Sequence, residues 1–259
     1  MEYIGISSQV CLLLCAGLLI AQAQKAPAHS SATGELSVNG ASAKAPVIVV
    51  GFVGGFVRHD NAVHSPVQLA AHIRNNFTSG VYVEVFENRR REQAYQRILK
   101  ILDADHNGTL SEEEKRDARI IIYGMSWGGS ETVALARELE AQRIPVLLTV
   151  QVDSIAKMGQ DDALIPANVA EAINFYQPHG LLHGQPEIRA VDPSHTRILG
   201  NFRSEYGSKP LQCEKYPWYD RIIWRQHTEI ECDLAVWKQV ESLIRSKLPP
   251  IRESASAVR

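Results

Sequence analysis

The sequence predicts an α/β fold with three layers, in which helices cover both faces of a mostly parallel central sheet. From Pro46 onward, short runs of apolar and β-branched residues alternate with longer segments whose apolar residues recur at helical spacing. A chain of 259 residues with 45% hydrophobic and 22% charged content can also bury a sizeable core as one domain. Strands that alternate with helices favour parallel pairing, because each crossover helix packs on a face of the sheet.

The predicted elements follow from these patterns. Strands are expected where β-branched and aromatic residues cluster in short runs, at 47–51, 81–86, 119–124, 145–152, 196–202 and 221–225. Helices are expected where apolar residues lie three and four positions apart, at 66–77, 93–102, 130–142, 168–176 and 234–248. The region between 152 and 196 is otherwise rich in loops.

The first 23 residues have the pattern of a secretory signal peptide. An apolar run at 10–20 precedes Ala-Gln-Ala at 21–23, which matches a small-x-small cleavage site near Ala23. The region before the run contains Glu2 and no Lys or Arg, so an uncleaved anchor or a lipidated Cys15 remains an alternative. We therefore expect a secreted or periplasmic protein.

The rest of the chain divides into three parts. Residues 24–44, rich in Ala, Ser and Gly, are expected to form a disordered lead-in, residues 45–250 the folded domain, and residues 251–259 a C-terminal tail. No segment after the signal peptide is apolar and long enough to span a bilayer. The formal net charge is -2 and there is no basic block, which argues against nucleic acid as a partner.

Two cysteines remain if the signal peptide is removed. In an oxidising compartment, Cys213 and Cys232 could form a disulfide whose loop contains His227 and contributes roughly 3 kcal/mol. Two buried free thiols are the alternative.

The stretch at 119–129 contains the strongest catalytic pattern. A strand of β-branched residues ends in Gly124-Met125-Ser126-Trp127-Gly128 and passes into an amphipathic helix. Glycines on both sides allow a tight strand-to-helix turn that lifts the Ser126 hydroxyl clear of the sheet. This context predicts a nucleophile at Ser126.

Reactive groups in a parallel sheet lie beyond the carboxyl ends of the strands. Asp153 directly follows the strand at 145–152, and His227 directly follows the predicted strand at 221–225, so both are expected beside Ser126. Structural interpretations remain open, with Ser126 as a helix cap, Asp153 as a turn residue and His227 as a surface histidine. The remaining acidic and histidine candidates precede a strand or lie in the irregular region, and they are Asp192, His195, His179 and His183.

These residue types suit acyl transfer. A serine hydroxyl becomes a nucleophile when an imidazole accepts its proton, and a carboxylate fixes the tautomer of that imidazole. The oxyanion then needs preorganised N–H donors, each worth about 3 kcal/mol. One is expected from Trp127 at the start of the helix, and the other from Phe52 or Val53 in the glycine-rich stretch after the first strand. That stretch is not G-x-G-x-x-G, which argues against a nucleotide loop.

The order Ser126, Asp153, His227 on an alternating β/α frame, with the Gly124 to Gly128 turn, resembles the α/β-hydrolase superfamily. The resemblance covers about 45–248 and implies hydrolysis of an ester or thioester, as in lipases, esterases and thioesterases, without an organic cofactor. The acidic residue, Asp153, follows the strand directly after the serine helix, and this placement resembles the thioesterase-like and some lipase branches. The chain departs from the superfamily at the oxyanion loop, which lacks the usual His-Gly dipeptide.

A second motif predicts a calcium loop of the EF-hand type at 103–114. Ca²⁺ prefers six to eight oxygen ligands, and the loop has them at every diagnostic position, with glycine at position six for the sharp turn. The predicted ligands are Asp103, Asp105, Asn107, the carbonyl of Thr109, Ser111 and Glu114. The loop precedes the amino end of the serine strand, so the ion is expected to be structural. A solvated acidic turn is the alternative.

Two functions from different classes therefore follow from the sequence. The first is a secreted serine hydrolase with a structural calcium ion, acting on a small-molecule or lipid-like ester. The second is a calcium-binding or interaction protein that keeps a hydrolase-like scaffold without catalysis. The acyl length and the oligomeric state are left open.

Overall fold

The computed structural model describes residues 45–207, 211 and 213–250. Its elements, in chain order, are β1 (Val47–Val53), α1 (Ser65–Asn76), β2 (Val81–Glu87), α2 (Arg91–Leu102), α3 (Glu112–Arg116), β3 (Arg119–Met125), α4 (Trp127–Ala141), β4 (Val146–Val152), β5 (Leu164–Ile165), β6 (Val169–Tyr176), β7 (Arg189–Ala190), β8 (Arg197–Arg203), α5 (Trp218–Ile223), α6 (Arg225–Cys232) and α7 (Leu234–Lys247). The predicted signal peptide, the lead-in and the C-terminal tail lie outside the described residues.

Six of the strands form one sheet in the order β2-β1-β3-β4-β6-β8, and every neighbouring pair in it is parallel. A separate pair, β5 and β7, is also parallel. The predicted fold class, a mostly parallel central sheet with helices around it, is confirmed. Because the central strands are covered on both faces, they consist of nearly continuous apolar residues.

The residues of β3 alternate between two apolar layers. Ile120 and Ile122 pack with α2 and α4 on one face, whereas Ile121 and Tyr123 pack with α1 and α7 on the other. All four side chains are fully buried, and each buried Ile contributes about 1.5–3 kcal/mol relative to an exposed one. The Tyr123 hydroxyl donates a hydrogen bond to the Pro66 carbonyl at 2.8 Å. The serine strand therefore lies at the centre of the fold.

The helix predicted at 168–176 is wrong, because this segment forms β6 between β4 and β8. Its Ala and Glu residues favour a helix, but sheet pairing on both sides overrides that weak preference. Asn174, near its carboxyl end, is fully buried and donates its side-chain amide to the Gln185 carbonyl at 2.7 Å.

The strand predicted at 221–225 is also wrong, because the chain forms the two short helices α5 and α6 there. A short apolar run does not distinguish a strand from a helix. Ile222 and Ile223 are exposed instead of contributing to the core. The last strand of the sheet is therefore β8, and His227 lies on a helix.

Other element boundaries differ by a few residues. β1 continues to Val53, α2 begins at Arg91, and α4 begins directly after Ser126. The part of the chain that the structure describes contains no helix long and apolar enough to cross a membrane.

Candidate active site

Ser126 occupies the sharp turn between β3 and α4. Its φ of 59° and ψ of -127° are unfavourable for any residue other than glycine, and such backbone strain costs about 1–3 kcal/mol. The turn requires Gly124, because a Cβ there would lie 2.1 Å from the Gly128 carbonyl oxygen. The Ser126 N–H donates to the Val152 carbonyl at 3.0 Å, and the Ser126 carbonyl accepts from the Ile155 N–H at 3.2 Å. These bonds hold the serine against the carboxyl end of β4.

Asp153 follows β4 and is fully buried with a positive φ of 43°. Its Oδ1 accepts hydrogen bonds from the N–H groups of Gly184 at 2.7 Å and Gln177 at 3.2 Å. Its Oδ2 is 2.9 Å from the side-chain amide of Gln177 and 2.6 Å from His227 Nδ1. Four hydrogen bonds from three residues therefore fix the orientation of this carboxylate.

His227 lies on α6, and only about an eighth of its side chain is exposed. Its Nδ1 faces Asp153, which leaves Nε2 as the nitrogen that can accept a proton. Among the described residues, no hydrogen bond joins the Ser126 hydroxyl to this imidazole. Such bonds are often long in enzymes without substrate and shorten when substrate binds. The structure thus pairs His227 with Asp153 and places Ser126 beside the strand that carries Asp153.

A disulfide and two side-chain contacts hold α6 in place. Cys213 and Cys232 are joined, and their Cα atoms are 5.9 Å apart. At the start of α1, His64 Nδ1 is 2.8 Å from Glu231 Oε1, and the Ser65 hydroxyl donates to the Glu231 carbonyl at 2.5 Å. The helix that carries His227 is therefore tied to the loop before α5 and to the start of α1.

The oxyanion candidates Phe52 and Val53 lie within the last two residues of β1 and are fully buried. The residue that contacts the serine is the next one, Gly54. A Cβ on Gly54 would lie 2.8 Å from the Ser126 Cβ and 3.0 Å from the Met125 carbonyl oxygen. Trp127 is the first residue of α4, where the N–H groups have no partner within the helix.

A polar network that the sequence analysis missed supports the loop after Gly54. The Asn88 side-chain amide donates to the Gly55 carbonyl, and Lys157 Nζ donates to the Asn88 carbonyl at 2.7 Å. Lys157 also pairs with Glu131 at 2.7 Å, and Glu131 pairs with Arg91 at 2.7 Å. Glu131 is almost fully buried on α4, five residues after the serine, so two cations neutralise it. The sequence signal for this network was a glutamate close behind the serine, in the segment predicted to be an amphipathic helix.

Two of the other histidine candidates pair with carboxylates other than Asp153. His195 pairs with Asp192 at 2.8 Å before the amino end of β8, and His179 pairs with Glu205 at 2.9 Å. Hydrogen bonds from Ser194 and His195 lower the pKa of Asp192 to about 2. His183 directly precedes Gly184.

The loop at 103–114 brings three of the predicted calcium ligands together. Carboxylate oxygens of Asp103, Asp105 and Glu114 all lie within 4.8 Å of one another. Asp103 accepts hydrogen bonds from the N–H groups of Asn107 at 3.1 Å and Gly108 at 3.0 Å, which curl the loop around its carboxylate. The loop leads through α3 to the amino end of β3, so it lies at the opposite end of that strand from Ser126.

The second half of the loop is a helix cap. Ser111 and Glu114 form a reciprocal capping box at the start of α3, and Glu114 also accepts from the Ala104 N–H at 2.8 Å. Hydrogen bonds from Ser111 and Ala104 lower the pKa of Glu114. The Thr109 N–H and hydroxyl both donate to Asn107 Oδ1, at 2.8 and 2.7 Å. α3 has only five residues.

No family model and no curated protein matches the sequence. Solved structures that resemble the fold include a candidate hydrolase of the alpha/beta superfamily from Xanthomonas campestris pv. campestris, which is 15% identical over 77% of this chain and 99% of that chain, with a TM-score of 0.39. RedJ, with a PEG molecule in its active site, is 11% identical over 78% and 96% of the two chains, with a TM-score of 0.35. An acetyl xylan esterase is 11% identical over 79% and 99%, with a TM-score of 0.37. At these values the likeness says nothing about the activity of this chain.

Proposed function

We propose that this protein is a serine hydrolase that cleaves an ester or thioester through an acyl-enzyme. The observation that carries the proposal is the 2.6 Å contact between His227 Nδ1 and the buried carboxylate of Asp153, next to the turn at Ser126. A buried histidine–carboxylate pair beside a strained serine is the arrangement that nucleophilic acyl transfer requires.

The reaction follows from the roles of these atoms. The Ser126 oxygen attacks the carbonyl carbon of the substrate while His227 Nε2 takes the hydroxyl proton, and Asp153 stabilises the imidazolium. The imidazolium then donates its proton to the leaving alcohol or thiol. Water, deprotonated by the same imidazole, attacks the acyl-enzyme, the bond between the acyl carbon and Ser126 Oγ breaks, and the imidazolium returns the proton to Ser126 Oγ as the acid is released. The Trp127 N–H is one donor to the oxyanion, and the second comes from the 52–54 backbone, where Phe52, Val53 and Gly54 are the candidates.

A fluorophosphonate probe tests this proposal, because it phosphonylates only an activated serine. We expect labelling of the wild type and of an exposed control such as Ser246→Ala, but none of Ser126→Ala. p-Nitrophenyl esters of graded acyl length would then report turnover, and His227→Ala and Asp153→Ala should each lower kcat by a factor of about 10⁴ or more. Failure of the wild type to react with either reagent would favour the non-catalytic scaffold.

We further propose that the protein acts outside the cytoplasm. A disulfide between Cys213 and Cys232 suits an oxidising compartment, as does the signal-like sequence at 1–23. Mass spectrometry of the protein exported from an expressing cell would test this. The expected mass is that of a mature chain that begins after Ala23.

We also propose that the loop at 103–114 binds one structural Ca²⁺. The convergence of Asp103, Asp105 and Glu114 supports the proposal, since three nearby carboxylates repel one another until a cation neutralises them. Asn107, the Thr109 carbonyl and Ser111 would complete the oxygen ligands. The location of the loop at the amino end of β3 favours a role in stability.

Calorimetric titration with Ca²⁺ tests the ion directly. We expect one site in the wild type and none in Asp103→Ala, and a lower Tm for the wild type in chelator. Asp192→Ala, which removes an exposed acidic residue elsewhere, serves as the matched control. If chelation abolishes ester turnover without lowering the Tm, the structural role is wrong.

A further inference from the structure

Large apolar side chains are exposed in loops and a short helix around the candidate active site. Five of them, here called the apolar rim, are Phe56, Met158, Leu181, Trp218 and Ile222. Each is more than 60% exposed, whereas most large apolar side chains of the described residues are buried. The first three follow the carboxyl ends of β1, β4 and β6, which is the edge of the sheet where Ser126 lies.

Phe56 and Met158 lie on one side of the serine. The Phe56 ring packs edge-on against Trp127, with ring centroids 5.8 Å apart, and Trp127 directly follows the nucleophile. Met158 follows Lys157 in the sequence, and Lys157 donates a hydrogen bond to the Asn88 carbonyl. The side chain of Asn88 in turn donates to the carbonyl of the residue before Phe56. The Phe56 ring therefore contacts the residue after the nucleophile, and Met158 follows a lysine that supports the loop carrying Phe56.

The other rim residues lie on two segments that adjoin α6, the helix that carries His227. Trp218 and Ile222, four positions apart, share one face of α5, a helix with no buried residue that leads directly into α6. Leu181 follows Gly180, where a Cβ would lie 2.7 Å from Gln226 Oε1. The loop carrying Leu181 thus contacts the residue that precedes the histidine.

We propose that the apolar rim docks on a lipid surface, and that the substrate is a long-chain acyl ester held in that surface. This inference rests on the proposed hydrolase function. Three rim residues follow the strand ends at the edge of the sheet that carries Ser126, and the other two lie on the helix that leads into α6. A protein partner or a second copy seated on all five would therefore cover the edge that carries Ser126, whereas a lipid surface brings the scissile ester with it. Several large exposed apolar side chains on one edge of a fold mark such interaction surfaces. With a net charge of -2 and no basic block, the chain is suited to neutral lipid more than to electrostatic attraction by anionic lipid.

Flotation with phosphatidylcholine vesicles tests docking. The Ser126→Ala variant is the parent protein for this experiment, so that binding is measured without turnover. We expect the parent to bind, and the added pair Trp218→Ser and Ile222→Ser to weaken vesicle affinity at least tenfold. The matched control is Tyr82→Ser with Val191→Ser, two exposed apolar residues near the amino end of β2 and beside the β5–β7 pair. A parent that does not bind, or an equal loss in rim and control variants, overturns the proposal.

Two ester substrates separate this inference from the proposed function. The enzyme should cleave p-nitrophenyl palmitate in phosphatidylcholine vesicles, and the rim pair should lower that rate at least tenfold without changing turnover of monomeric p-nitrophenyl acetate. Cleavage of the acetate with no effect of the rim pair on the palmitate overturns the lipid inference and leaves the hydrolase intact. Cleavage of neither ester overturns both.

Discussion

Gln177 donates its side-chain amide to Asp153 Oδ2, the same oxygen that contacts His227 Nδ1. The amide is 2.9 Å from that oxygen and also donates to the Leu182 carbonyl at 2.8 Å. The Gln177 Oε1 accepts from the His179 N–H at 2.8 Å, so every polar atom of this buried side chain is used. Gln177 therefore positions both the carboxylate and the loop after β6.

Replacing Gln177 by Met should lower kcat for ester hydrolysis about 10- to 100-fold and leave KM nearly unchanged. The variant keeps the side-chain volume and the backbone hydrogen bond to Asp153 Oδ1, but loses the side-chain hydrogen bond to Asp153 Oδ2, and a misplaced carboxylate supports the imidazolium poorly. Steady-state kinetics below the Tm of the variant would check this. A loss of Tm with an unchanged kcat would mean that Gln177 serves only folding.

Sequence reasoning found Ser126 and Asp153 because each directly follows a strongly apolar strand, where a parallel sheet collects reactive groups. His227 was identified by the wrong route. The segment at 221–225 is helical, and His227 reaches Asp153 from α6 instead of from a strand end. The catalytic roles of the three residues remain predictions.

The supporting residues could not be predicted, since their partners are distant in the sequence. Gln177 lies 24 positions from Asp153, and Lys157 lies 69 from Asn88, so no periodicity links them. The helix prediction at 168–176 was wrong for a related reason, because pairing with β4 and β8 determines the structure of this segment. Short-range patterns predicted the strands that are apolar along nearly their whole length, β1, β3 and β4, but not β6, whose Ala and Glu residues favour a helix although it pairs on both sides.

Gly54→Ala should abolish most ester hydrolysis. Its Cβ would lie 2.8 Å from the Ser126 Cβ and 3.0 Å from a backbone oxygen, so the strand end or the serine turn must move. A displacement of about 1 Å at a nucleophile can cost a factor of about 100. Gly207→Ala, where a Cβ meets nothing within 4 Å, is the matched control and should keep full kcat/KM. Equal activity of the two variants would exclude close packing of Gly54 on the nucleophile.

Reduction of the Cys213–Cys232 disulfide should lower both Tm and activity. The bond spans 19 residues that include all of α5 and His227, and a loop of that length contributes about 3 kcal/mol in the chain-entropy description. Differential scanning calorimetry and ester turnover, with and without dithiothreitol, would measure the two effects. The double variant Cys213→Ser with Cys232→Ser should match the reduced wild type and be insensitive to the reductant. An unchanged Tm after confirmed reduction would refute the prediction.

Asp162 should make the folded state less stable as the pH rises. It is almost fully buried, its Oδ2 accepts a 2.5 Å hydrogen bond from Ser154, and burial raises its pKa above the ordinary 3.8. A carboxyl with a raised folded-state pKa stabilises the protein below its unfolded pKa, and this contribution is lost as pH rises through the folded pKa. The Tm of Asp162→Asn minus that of the wild type should therefore increase between pH 4 and pH 7.5. Asp192→Asn is the control, because hydrogen bonds from Ser194 and His195 lower the pKa of Asp192 from the ordinary 3.8 to about 2, so its contribution is lost only as the pH falls below 4. The Tm difference between this variant and the wild type should therefore stay constant between pH 4 and pH 7.5. Parallel pH profiles for the two variants would contradict the assignment.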